Sequence, residues 1–359
     1  MWKRICSALF MGLAAVHLPG ASASEPMIRL DLSGKTLEGT PLRWSEGKVW
    51  FLGRDGQLAE FAPTEPTNFA KLTGGFHSYS QAEIRGSLLR EFSHGYEVSG
   101  VGHYLVVHPA GKRDQWAPRF EELYRSFVHY FSARGWQLTE PQFPLVAVVY
   151  PRQADFWQQA EKEGMPRSSG VLGYYSPVTN RILMFDATTT GSGWDWTTNA
   201  DTIIHEAAHQ SAFNTGVHTR FGNSPRWVVE GLGTMFEAPG VWQSRRHPTQ
   251  PDRINRGRLD AWKAYAKGRR PSDTIAQIVS SDRMFASDPL PAYAEAWALS
   301  FFLVETMPKK YIEFLSKTAE RPAFSDYPGP KRLQDFTDIF GADLAMLDAR
   351  MQRFMAGLK

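Results

Sequence analysis

Cysteine is nearly missing from this chain: one thiol, Cys6, occurs in 359 residues. A single thiol closes no intramolecular disulfide and builds no thiolate cage, so intramolecular disulfide staples and metal sites made of several cysteines are both excluded. A strong charge of either sign is missing as well. The 40 Lys and Arg against 37 Asp and Glu leave +3, which offers no basis for nucleic acid or a charged surface as partner. No internal repeat is visible, and no apolar run reaches the roughly 20 residues of a membrane-spanning helix. Core material is what the chain has in quantity. Hydrophobic residues make up 42%, with twelve tryptophans, enough to hold a chain of this length without covalent staples.

The longest apolar run, Ile5 to Leu18, follows Lys3 and Arg4 and precedes the small residues Ala21-Ser22-Ala23. That order of basic, apolar and small residues is the pattern of a secretory signal peptide, so residues 1–23 are expected to be removed. An uncleaved anchor is the alternative, but the run is short for it. Cys6 then leaves with the signal, and losing Lys3 and Arg4 changes the balance to 38 − 37 = +1. The expectation is an exported protein, periplasmic or secreted, with no membrane span after signal removal.

Alternating apolar residues Ile28, Leu30 and Leu32, and the runs Val49 to Leu52 and Leu58 to Phe61 about Gly53-Arg54-Asp55-Gly56, predict a small β-rich module over residues 24–70. The stretch Ala62 to Asn68, with Pro63 and Pro66, reads as a linker, which sets a boundary near residue 70. Beyond it the spacing predicts an α+β domain over 71–359, with strands and helices to 197 and mainly helices from 198. Helical spacing runs from Ala82 to Phe92, and a second helical stretch, Phe120 to Phe131, places Phe120, Leu123, Tyr124, Phe127 and Phe131 on one face. Tyr104 to His108 and Leu145 to Tyr150 read as strands, and Val171 to Tyr175 with Arg181 to Phe185 reads as a hairpin. The basic stretch from Asp252 to Arg270 reads as a solvated helix face.

Chemistry concentrates in His205-Glu206-Ala207-Ala208-His209. Two histidines four apart project from one helical face about a turn from each other, close enough to share one ion, and the intervening glutamate can reach a water on it. In a chain of this composition the pattern arises by chance on the order of 0.02 times, so coincidence is a poor explanation for it. Thr198 or Asn199 is the expected cap of this helix, and Asn214-Thr215-Gly216 its end. A third ligand is available in Glu230, 21 residues after His209, on a helix expected to be capped by Ser224 with Pro225 in its first turn. Flanked by Val228-Val229 and Gly231-Leu232, this carboxylate lies in an apolar run and needs a partner. His218 and Glu237 are weaker substitutes, and Glu237 also suits a carboxylate orienting a ligand histidine. A metzincin site is excluded, because Ala212 and Thr215 stand where that pattern needs glycine and histidine.

These residues resemble those of the gluzincin zinc metallopeptidases, and more closely the peptidase-MA-like domains of exported bacterial proteases. The likeness rests on His205 to Gln210, Phe213 to Gly216 and Trp227 to Leu232, and extends to Gly173 to Arg181 and Tyr293 to Trp297. It implies a gluzincin-like catalytic domain with Zn2+ held by His205, His209 and Glu230, and Glu206 as catalytic base. Gly233 departs from the pattern, where such helices more often carry alanine. The implied reaction is hydrolysis of a peptide or protein substrate through a zinc-bound water. Similar enzymes bring a Tyr or His to the oxyanion, which makes Tyr293 the first candidate here and His218 the second. The hairpin about Tyr174 and Ile182 is the expected sheet edge for an extended peptide, and Trp194 and Trp196 could line the cleft. No Gly-x-Met-Glu-Asn segment is present, which favours an endopeptidase slightly. The competing reading is a non-catalytic, zinc-stabilised periplasmic binding or scaffold protein. Glu206 speaks against it, since a purely structural site needs no base and usually closes with a fourth protein ligand.

Overall fold

A computed structural model describes residues 25–92, 94–111, 115–168, 170–189 and 196–359. The expected signal peptide and Trp194 lie outside the described residues.

Five strands come first: β1 (Pro26–Leu32), β2 (Lys35–Trp44), β3 (Val49–Gly53), β4 (Leu58–Phe61) and β5 (Thr67–Gly75). They form an antiparallel sheet in the order β4-β3-β2-β1-β5, packed over Ile28, Leu30, Val49, Phe51 and Phe61. The sequence expectation needs correcting here. The supposed linker is only a short turn, and β5 carries the sheet past residue 70. It can begin so close to Pro66 because it is an edge strand, paired with β1 alone.

The module is fastened to the rest of the chain. Trp50 stacks on Phe324 with 4.9 Å between ring centroids, Leu58 N donates to Val178 O, and Arg220 donates to Gly56 O.

A second sheet follows, interleaved with helices: α1 (Gln81–Glu91), β6 (Tyr96–Val101), β7 (Tyr104–Pro109), α2 (Trp116–Ser132), β8 (Leu145–Tyr150), α3 (Gln153–Lys162), β9 (Gly173–Ser176) and β10 (Arg181–Phe185). Its order is β6-β7-β8-β10-β9, with β7, β8 and β10 parallel and the two outer strands antiparallel. Both faces are covered, which is why β8 is apolar without alternation. Tyr104, Val106, Leu145, Ala147 and Val149 share a core with Phe120, Leu123 and Phe127 of α2. Leu105, Val107, Val146 and Val148 pack with α1 and α3 on the other face.

The remaining chain is helical: α4 (Trp196–Asn214), α5 (Arg226–Phe236), α6 (Pro239–Trp242), α7 (Arg256–Gly268), α8 (Thr274–Ser280), α9 (Arg283–Ser287), α10 (Pro289–Thr306), α11 (Pro308–Ala319), α12 (Gly329–Phe340) and α13 (Leu344–Ala356). The mixed α and β architecture thus has strands early and helices late, in the order the sequence suggests. Among the described residues no helix is long and apolar enough to cross a membrane.

Three local expectations change. Helix α4 starts at Trp196, so Thr198 and Asn199 lie in its first turn; Asn199 donates to Asp186 and accepts from Ala187 N. In α5 Pro225 takes the cap position and the Ser224 hydroxyl makes no capping bond. Asp282, distant in sequence, accepts from Arg226 N at 3.0 Å instead. The basic stretch is not simply a solvated face. Arg253 pairs with Glu305, and Arg270 is buried, bridging Glu295 of α10 and Asp348 of α13. Burying that cation is favourable only because carboxylates meet it.

Helix α10 forms the floor beneath α5, and Gly231 sets how close the two come. A Cβ at 231 would lie 2.2 Å from Ser300 Oγ and 2.6 Å from Ala296 O. Because one of those neighbours is backbone, Gly231→Ala is expected to lower stability by about 1–3 kcal/mol, measurable as a reduced midpoint in urea unfolding.

Candidate metal centre

Helix α4 lies against β9 and β10 on one side and α2 and α5 on the other. Its apolar residues Ile203, Ile204, Ala207, Ala208 and Ala212 enter the core, and His205 and His209 face α5 while Glu206 turns to β9. Glu230 meets them from α5. His205 Nε2, His209 Nε2 and Glu230 Oε2 lie within 4.8 Å of one another. The two nitrogens are 2.9 Å apart, and Oε2 is 3.5 Å from the first and 3.4 Å from the second.

This donor set fits a zinc ion. Oε2 is buried and has no hydrogen-bond donor, and two facing imidazole nitrogens with a carboxylate oxygen require a cation or a proton between them. A tetrahedral ion with bonds of about 2.1 Å holds its ligands about 3.4 Å apart, the spacing of the two His–Glu edges. The His–His edge is shorter.

Gly233 now has a physical reason. A Cβ there would stand 2.7 Å from His209 Cε1 and 3.1 Å from His205 Cε1, so glycine lets α5 come down onto both rings.

Glu237, at the end of α5, meets the other side of His205. Its Oε1 is 2.8 Å from His205 Nδ1, which places it outside the three-atom cluster and where a carboxylate could orient the ring. Accepting from Nδ1–H fixes the tautomer that leaves Nε2 free to ligate. Asn255 Nδ2 donates to Glu237 Oε2 at 2.6 Å, and Arg258 stands 3.7 Å from Oε1. Asn255 also caps α7. The spacing of Glu237 from Glu230 was legible in the sequence. The Asn255 and Arg258 contacts carried no sequence signal, because the chain loops out between them and α5.

Burial opposes a charge on His205, yet Glu230 and Glu237 outweigh it and hold the imidazolium well above the ordinary histidine range. Burial works against Glu230 too, and the two histidines hold its carboxyl well below the usual carboxylate range. Glu206 sits apart from the three converging atoms, and its Oε2 accepts the Tyr175 N–H at 2.8 Å. Tyr175 belongs to β9, the edge of the second sheet. Ile182 does not: β10 is paired on both sides, so the expected edge is β9 alone, with Tyr174.

Tyr293 enters from the first turns of α10, its hydroxyl 3.3 Å from Arg226 Nη2. Burial and then the negative charge of Glu230 push its phenol up to about 12, so it keeps its proton at neutral pH. His218 follows α4, buried against Phe213, with neither ring nitrogen hydrogen-bonded among the described residues. Burial, and then the charge of His209, push it down to about 3, leaving a neutral ring. Trp196 opens α4, away from the ligands by more than two turns of chain.

A family model described as a protein of unknown function (DUF1570) matches residues 199–325, from the first turn of α4 past α11. No curated protein matches the sequence. Among solved structures the chain is similar to the M1 zinc metallopeptidase from Deinococcus radiodurans, at 14% identity and a TM-score of 0.40, over 73% of this chain and 51% of that one. A point mutant of that enzyme gives 14% and 0.41 over the same shares. The mutant bound to a Tyr-Ser-Ala substrate gives 13% and 0.39, over 74% and 52%. This chain spans about half the length of those proteins.

Two outcomes follow from the centre's geometry. Gly233→Ala is expected to displace both imidazoles and weaken zinc binding by about tenfold or more, read by chelator competition, while the far-ultraviolet circular dichroism stays unchanged. Zinc affinity is also expected to fall with pH, by up to about tenfold per pH unit for each proton displaced. The sign comes from His205, whose proton is held above the ordinary range and must leave before Nε2 can ligate. Proton release on zinc addition, followed in two buffers of different ionisation enthalpy, checks it.

Proposed function

We propose that this protein is an exported zinc peptidase of the gluzincin kind, with His205, His209 and Glu230 as ligands and Glu206 as general base. The observation that carries the proposal is the convergence of three candidate ligand atoms from α4 and α5, with Glu206, the residue after His205 on the same helix, held in place by a main-chain N–H. A base next to an ion with three protein ligands is the arrangement of hydrolysis. The N-terminal Lys3-Arg4, apolar run and Ala21-Ser22-Ala23 support export to the periplasm or beyond.

Zinc, when bound, supplies the Lewis acidity that makes water acidic near pH 7 and polarises a carbonyl. The side chains do the rest. Glu206, with Oε2 occupied by the Tyr175 N–H, has Oε1 to take a proton from the attacking water and return it to the leaving amine. Water adds to the carbonyl carbon, the C–N bond breaks, and the proton ends on the new amine. Tyr293, protonated and next to Glu230, is our choice of donor to the oxyanion. His218 is second, being buried and neutral. Edge strand β9 supports an extended peptide as substrate, laid beside Tyr174. We favour internal cleavage because Gly173-Tyr174-Tyr175-Ser176 offers no carboxylate to hold a free amino terminus.

The test is metal analysis of purified protein followed by a peptide-library assay of native and Glu206→Gln forms. The native form is expected to carry one zinc and cleave, and Glu206→Gln to keep its zinc and lose about 10²–10⁴ of the rate. Stoichiometric zinc without cleavage by the native form would favour the scaffold reading.

A further inference from the structure

Arg226 opens α5 one turn ahead of Glu230. Its Nε is 3.4 Å from Glu230 Oε1, the oxygen turned away from the histidines, and its Nη2 is 3.3 Å from the Tyr293 hydroxyl. The guanidinium carbon lies 4.9 Å over the Phe285 ring, a flat surface that fixes its plane. A second guanidinium, Arg258, lies 5.2 Å over the Tyr293 ring. The side chain of Arg226 is still 45% exposed, and its Nη1 has no partner among the described residues.

Charge at the centre leaves this cation under-compensated. With a divalent ion bound and His205 neutral, the −3 of Glu206, Glu230 and Glu237, the +2 of Arg226 and Arg258 and the +2 of the ion sum to +1. Glu230 is the one carboxylate paired with the Arg226 guanidinium among the described residues, and it is also a ligand atom's carrier. Asp282 does not neutralise the guanidinium: it accepts the Arg226 main-chain N–H and pairs with Arg332. A solvent-facing, partly immobilised guanidinium beside the reacting position is suited to a planar anion, which it can meet through two parallel N–H groups.

We propose that Arg226 recognises a carboxylate of the substrate, placed within a residue or so of the cut bond. The proposal rests on the peptidase reading and names its substrate class: peptides with an acidic group next to the scissile bond. That carboxylate comes either from an Asp or Glu side chain or from the peptide's own C terminus.

The test uses peptide pairs of one sequence, built around a bond that a library screen shows to be cut or, where none is cut, around a peptide that the screen shows to be bound. One pair differs in a free against an amidated C terminus, the other in aspartate against asparagine beside the bond. In one pair the zinc-loaded native protein is expected to cleave the carboxylate form with kcat/KM about tenfold or more above its neutral twin. The pair that responds identifies the source. Arg226→Gln brings the ratio near one, and Arg226→Lys restores part of it, since a lysine keeps the charge but loses the fork. Calorimetric binding of the same peptides to zinc-loaded Glu206→Gln protein reads the preference without turnover. A carboxylate preference in binding, lost in the Arg226→Gln/Glu206→Gln double variant, with no cleavage by the native protein, would uphold Arg226 and sink the peptidase reading. Equal kcat/KM and equal binding within both pairs overturn the Arg226 proposal, and that comparison needs no Arg226 variant to fold. A ratio unchanged by Arg226→Gln overturns it as well.

Discussion

Two helices approach each other here more closely than side chains ordinarily permit, and the candidate metal centre depends on that contact. Where α5 crosses α4, the two histidine rings occupy the space a Cβ at position 233 would need. Glycine there costs the isolated helix roughly 1 kcal/mol. The return is convergence: three lone-pair-bearing atoms, none able to donate to all the others, within reach of one ion. The same helix carries Gly231, where a Cβ would meet Ser300 and the Ala296 carbonyl of α10. α5 is therefore held between α4 and α10, and its position, not its own propensity, is what defines the site.

Electrostatics accounts for the groups arranged around that contact. Carboxylates approach His205 from two directions, Glu230 on the Nε2 side and Glu237 on the Nδ1 side, so the ring has one orientation and one tautomer available for ligation. Glu237 is in turn held by Asn255 and Arg258, which ties the metal centre to α7. On the far side of the helical half, Arg270 closes a buried bridge from Glu295 on α10 to Asp348 on α13. That bridge locks the C-terminal helix onto α10, the helix that supports α5. The apolar sheet does the equivalent work beneath α4. Its buried strands β8 and β10 share a core with the alanines and isoleucines of the ligand helix.

Much of this was legible along the chain because the signals are local. The four-residue spacing of His205 and His209, the apolar face of α2, the continuous run Leu145–Tyr150 and the hairpin about Ser176 to Asn180 each depend on neighbours a turn or a strand away. The partners that the sequence did not reveal are those separated by long loops. Asp282 caps α5 from 56 residues away, and Tyr175 N–H reaches Glu206 across 31. Boundaries near proline were misread for a related reason. Pro66 argued for a linker, but an edge strand tolerates a proline at its start, and whether a strand lies at an edge is a property of the sheet.

By itself, then, the sequence indicated a candidate chemistry: two histidines and a glutamate with helical spacing, an additional glutamate in an apolar run, and a single thiol, too few for a thiolate cage. It could do so because ligand type and i, i+4 geometry are properties of the chain and its local conformation. Tertiary structure alone decided that Glu230 faces both histidines, that Glu237 stands behind His205, that Glu206 is held by an edge strand, and that Arg226 lies beside Tyr293. Those relations depend on how close two helices pack and on which loops return to them. Only the glycines at 231 and 233, where the packed helices leave no room for a side chain, mark that closeness in the sequence.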